Sequence, residues 1–173
     1  MPRRNRIRAK RFFVLTIFIL SCLSAACYGQ ENTGRYRFEV EATGGWAGFA
    51  DDGWIHHGIV GGSFRTFITG GLNLAPEVFY LVGPDGDRDV SVTPVAGYQF
   101  RRSARVQPYV NGGVGWLGHR EAFLTRSFWS TGWTFGGGGG FKIRISDRLF
   151  VATEARLGWE PFLRTTVGVG YRF

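Results

Sequence analysis

Residues 162–173 read FLRTTVGVGYRF. Leu163, Thr165, Val167, Val169, Tyr171 and Phe173 fall on one side of a two-residue period; Arg164, Thr166, Gly168, Gly170 and Arg172 fall on the other. Successive side chains of a strand point to opposite faces, so this segment is apolar on one face and polar or tiny on the other. A strand of that kind, closing on an aromatic, suits the last strand of a membrane β-barrel. Its apolar face meets lipid, its polar face meets a narrow lumen, and Phe173 lies at the membrane edge.

Working back from the C-terminus, the same period returns seven times. Strands are predicted over about 36–49, 58–67, 72–81, 90–100, 106–117, 130–143 and 149–158, with no helical period of comparable length. The fold class is therefore all-β, an eight-stranded antiparallel up-and-down transmembrane barrel. The connectors alternate in length. Residues 69–70, 101–104 and 144–147 are short, while 50–57, 82–89 and 118–129 are longer, with a brief 159–161 at the last. Short periplasmic turns and longer outer loops, with both termini in the periplasm, account for this alternation.

The aromatic residues follow the same topology. Trp46, Trp54, Trp116, Trp129, Trp133 and Trp159 fall at or beyond the outer strand ends. Tyr36, Phe38, Tyr98, Phe100, Phe141, Tyr171 and Phe173 fall at the opposite ends. Two girdles result, with Trp46, Trp116, Trp133, Trp159, Phe38, Phe100 and Phe141 as their clearest members. A soluble barrel that turns its apolar alternation inward has no use for such belts.

The N-terminus bears on location. Six basic residues lie in positions 1–11 with no acid, an apolar run follows over 12–26, and then come small residues and Gln30-Glu31-Asn32-Thr33. This is an export-signal pattern, and the apolar run is short for a spanning helix. We expect a signal peptide over 1–29 and a barrel domain over 30–173. Cleavage fits before Cys27 or before Gln30, and a lipoprotein cut that leaves Cys27 acylated is the alternative. The net charge of +8 is mostly an export feature: beyond residue 11, 15 basic residues face 13 acidic ones. That near balance removes the support for nucleic-acid binding. Both cysteines, Cys22 and Cys27, lie in or beside the signal, leaving the barrel without a disulfide.

The signal, the strand count, the turn-and-loop alternation, the phrase VQPYVNGGVG (residues 106–115) and the terminal GVGYRF together resemble the small eight-stranded outer-membrane barrels, the OmpX proteins and the barrel domain of OmpA. The resemblance spans nearly the whole exported chain. It implies the outer membrane of a diderm (Gram-negative-type) bacterium as the location and outer-membrane lipid as a partner. It also implies the barrel-assembly machinery as a partner during biogenesis, with Val169, Tyr171 and Phe173 as the signal it reads. A periplasmic peptidoglycan-binding domain like that of full OmpA is not expected after Phe173. The family includes structural, adhesion and defence proteins, narrow channels and a few lipid-modifying enzymes, so the resemblance leaves activity open.

The inward face carries Glu39, Glu41, Arg65, Glu77, Lys142, Glu154, Arg156, Arg164 and Arg172. Such charges either line a pore or pair across the lumen, and eight strands leave a lumen just wide enough for side chains to fill. Unpaired they would be costly, so a paired lumen charge network is expected. Gly136, Gly138 and Gly140 are expected to make room for long side chains from facing strands.

Other constellations weigh less. His56 and His57 with Asp51 and Asp52 suggest a metal site, but no further ligand spacing supports one and a solvated loop is expected. Asp85, Asp87 and Asp89 imitate the start of a calcium loop, yet Val90 and Ala96 stand where Gly and Glu belong, which points to a polar turn. A rim enzyme would draw on His56, His57, His119, Glu121, Ser127 and Ser130, but no H-x-S phrase occurs in a strand. The expectation is therefore no catalytic residue, metal or cofactor. The expected role is structural or surface-interacting, with an extracellular ligand met by Trp54, Trp129 and the stretch His119-Arg120-Glu121. The second reading is a narrow ion or small-solute channel, and the third a lipid-modifying enzyme.

Overall fold

The computed structural model describes residues 36–50, 54–123 and 126–173, with the side chains of residue 85 and residues 121–128 excepted. The signal segment 1–29, Cys22, Cys27, Asp51 and Asp52, and the side chains of Asp85, Glu121 and Ser127, lie outside the described residues.

Eight strands form one closed antiparallel barrel in sequence order, with β1 pairing β8. They are β1 (Phe38–Ala50), β2 (Trp54–Thr69), β3 (Leu72–Val82), β4 (Arg88–Gln99), β5 (Val106–Phe123), β6 (Arg126–Arg144), β7 (Leu149–Trp159) and β8 (Leu163–Arg172). A single 3-10 turn, Pro84–Gly86, joins β3 to β4. Closure leaves the backbone paired all round the wall, as a chain in hydrocarbon requires.

The alternation along each strand separates two environments. Val60, Val114, Leu157, Val167 and Val169 point outward and are 56–59% exposed. Every strand turns at least one large apolar side chain outward at 42% exposure or more, which makes the outer wall a surface for lipid rather than water. The inner face carries the buried polar residues, including Glu39, Arg65, Glu77, Lys142 and Arg156. At one rim Trp116 and Trp133 stand 5.4 Å apart between ring centroids, and Trp46 lies 6.3 Å from Trp54. At the other, Phe38, Phe64 and Phe173 form a triangle with centroids 5.7–6.2 Å apart, and Tyr171 adjoins Phe173 at 6.3 Å.

The strands run further at the tryptophan end than the sequence alternation suggests. β1 and β2 stay paired up to Ala50 and Trp54, which reduces the expected loop 50–57 to residues 51–53. His56 and His57 therefore belong to β2, and Asp89 belongs to β4. The expected loop 118–129 is mostly a ladder, with β5 and β6 paired from Gly118 and Thr131 out to Phe123 and Arg126. These two strands have 18 and 19 residues, whereas about 9–11 cross a bilayer. The surplus stands as a β-hairpin beyond the membrane. Past Phe135, the last residue of β6 paired with Trp159, the side of β6 turned toward β7 loses that partner.

The glycines of β6 correct another expectation. A Cβ on Gly138 would lie 2.1 Å from the Ala155 carbonyl oxygen, and one on Gly140 would lie 1.8 Å from that of Thr153. Both positions therefore admit the close approach of β7 backbone. Only Gly136 lies under a long side chain, with Arg156 Cγ and Cδ 3.3 Å from where its Cβ would be. Gly70, at φ +52° in the β2–β3 turn, holds a left-handed conformation that glycine adopts without penalty.

Candidate functional site

Four layers fill the interior. At the periplasmic mouth Arg102, from the β4–β5 turn, donates hydrogen bonds to the carbonyl oxygens of Gly70 and Tyr36, each at 2.7 Å. Its guanidinium lies 3.7 Å over the Phe67 ring, and burial there holds it below its ordinary pKa. Just above, Glu39 is the hub of the first ion layer. It accepts from Lys142 and forms ion pairs with Arg172, whose Nε lies 2.9 Å away, and with Arg65, whose Nε lies at 4.0 Å. Glu41 lies 3.9 Å from the Lys142 ammonium. The Arg172 fork also reaches Gln107 at 2.6 Å, and Lys142, fully buried, sits 4.4 Å over the Phe150 ring.

The second ion layer joins β3, β7 and β8. Arg156 and Arg164 are directly opposite each other across the β7–β8 pair, a like-charge juxtaposition that is unfavourable by itself. Two glutamates resolve it. Glu77 accepts both terminal nitrogens of Arg156, at 3.0 and 3.1 Å, and Arg164 Nη2 at 3.0 Å. Glu154 accepts Arg156 and Arg164 at 3.2 and 2.9 Å and also the Asn111 amide at 2.6 Å. The nine sequence-selected charges thus divide into two clusters, one around Glu39 and one around Glu77 and Glu154.

Above the charges lies an apolar layer: Ala47, Ile59, Phe79, Leu81 and Leu117, all buried, with Phe49 packed against them. Along β2 the inward series runs Arg65, Ser63, Gly61, Ile59, His57, so this layer separates the ion clusters from the outer mouth. There His57 Nε2 lies 2.9 Å from an Asp87 carboxylate oxygen and 3.6 Å from one of Asp89. His119 Nδ1 lies 2.5 Å from Asp89 and 3.3 Å from Asp87. These groups line a cavity of about 550 Å³ whose wall also includes Phe49, Ser130, Trp159, Glu160 and Phe162.

The sequence separated what this mouth brings together. His57 is buried on β2 rather than solvated in a loop, Asp89 is buried on β4, and Asp87 ends the 3-10 turn. His56 faces the other way and accepts a hydrogen bond from Trp46 Nε1 at 3.2 Å. Strand parity held the missing signal: the inward series of β2, β4 and β5, each carried outward in steps of two, arrive at His57, Asp89 and His119.

No family model and no curated protein matches the chain. Solved structures do. The N-terminal β-barrel domain of Pseudomonas aeruginosa OprF superposes with a TM-score of 0.68 at 21% identity, covering 82% of this chain and 100% of that one. Neisserial surface protein A gives 0.69 at 16% identity, over 79% and 97%. Ail, the attachment invasion locus protein of Yersinia pestis, gives 0.56 at 14%, over 80% and 99%, and it has also been solved with the heparin analogue sucrose octasulfate. The fold is that of the small eight-stranded outer-membrane barrels.

Proposed function

We propose that this chain is an integral barrel of the outer membrane of a diderm bacterium that acts through its outward surface and does not conduct solute. The observation that carries the reading is the filled interior. Two ion clusters with four acids and five bases, and an apolar layer above them, occupy the lumen that a channel would need open. The projecting β5–β6 hairpin, with Arg120 and Trp129 exposed, supplies the contact surface for an extracellular ligand. This reading assigns no catalysis: His57 Nε2 and His119 Nδ1, one ring nitrogen of each, lie against carboxylates. Phe173, Tyr171 and Val169 serve as the assembly signal; the outward aromatic triangle at the periplasmic rim supports that role.

Single-channel recording tests the central claim. The folded barrel, verified by its heat-dependent gel shift, is expected to leave a planar bilayer silent. Discrete conductance steps that change when Arg65 or Glu154 is replaced would overturn it.

A further inference from the structure

We propose that His57, Asp87, Asp89 and His119 form a binding site for one divalent transition-metal ion of the zinc type at the outer mouth of the barrel. Among the described residues, His57, Asp87 and Asp89 each offer a ligand atom, and these three atoms lie within 4.8 Å of one another. His119 Nδ1 lies against the other oxygens of the same two carboxylates, 2.5 Å from Asp89 Oδ1 and 3.3 Å from Asp87 Oδ1, and supplies a fourth donor within reach. Donors bound tetrahedrally at about 2.0–2.1 Å stand roughly 3.3 Å apart. His57 Nε2 lies 2.9 Å from one oxygen of Asp87 and 3.6 Å from one of Asp89, separations that bracket that value.

Charge argues the same way. In the layers below, each carboxylate is matched by arginine or lysine. Among the described residues, the wall of the outer cavity contains Asp87, Asp89 and Glu160 and no arginine or lysine. Asp89 and His57 are nonetheless buried, and His57 Nδ1 has no hydrogen-bond partner. Two carboxylates and two imidazoles together answer a dication. Two nitrogens and two carboxylate oxygens favour zinc and its neighbours over calcium or magnesium, which take oxygen ligands. The four donors come from β2, β4, β5 and the 3-10 turn, so the ion would tie the β3–β4 connection to the inner wall. The cavity gives it access from outside.

The test uses the folded, chelator-stripped barrel in detergent. Calorimetric titration with Zn²⁺ should give one saturable equivalent, and Co²⁺ should give the visible absorption of a tetrahedral centre. His57→Ala and Asp89→Asn should each weaken Zn²⁺ binding by at least about 100-fold. His56→Ala, on the outer wall, should leave it unchanged. Asp89→Asn preserves shape and guards against a folding defect in His57→Ala, and the gel shift verifies folding of each variant. Absence of saturable binding overturns the proposal. So does binding that survives in Asp89→Asn and His57→Ala but falls in His56→Ala, or a preference for Ca²⁺ insensitive to His57→Ala.

Discussion

Glu77 accepts three hydrogen bonds from two guanidinium groups that would otherwise repel each other across β7 and β8. Glu77→Gln leaves Arg156 and Arg164 sharing only Glu154, an uncompensated buried charge. The expected cost is about 3–5 kcal/mol, measured by urea unfolding of the barrel in lipid vesicles. Adding Arg164→Met should recover a substantial part, because it restores one guanidinium to one glutamate. Equal destabilisation in the single and double variants would show that the two arginines do not share Glu77. The inward direction of these charges was legible in the sequence because it depends only on alternation. Their division into two clusters was not, since partners such as Glu77 and Arg156 are far apart in sequence and meet only when the sheet closes. His57 escaped for a different reason. Two adjacent histidines look like a polar loop until the strand is extended past them, after which one faces Trp46 and the other faces Asp87.

Among the strands, β6 illustrates what alternation reveals and what it hides. Its outward residues Trp133, Phe135, Phe141 and Ile143 are legible because lipid on one side and a polar lumen on the other make the two faces chemically different. Beyond the membrane that contrast vanishes, and residues 126–129 look like loop although they are paired with β5. The glycine run was readable as small residues, but the group they admit was not, because the register of β6 against β7 is a property of the closed sheet. Gly140→Val tests that register. Its side chain would overlap the Thr153 carbonyl, so the β6–β7 ladder should fail and the heat-modifiable folded band should be lost. Ala at the open position Gly58, where an added Cβ meets nothing within 4 Å, should leave that band intact. A normal folded band for Gly140→Val would mean that the two strands pair differently.

Taken whole, the barrel has a membrane-spanning wall and a hairpin that outruns it. Replacing residues 119–130 by a short turn should leave insertion and the gel shift unchanged, because the β6–β7 ladder begins only at Phe135 and Trp159. Failure to fold would show the hairpin to be part of the barrel's own framework and would count against its role as a contact surface. The apolar layer of Ala47, Ile59, Phe79, Leu81 and Leu117 has a wider consequence. It insulates the histidine–aspartate mouth from the arginine–glutamate floor, so substitutions at the two ends share no partner and their energetic effects should add. Such a molecule is modular in its heredity: its outer chamber can change chemistry from one generation to the next while the end that builds the barrel stays untouched.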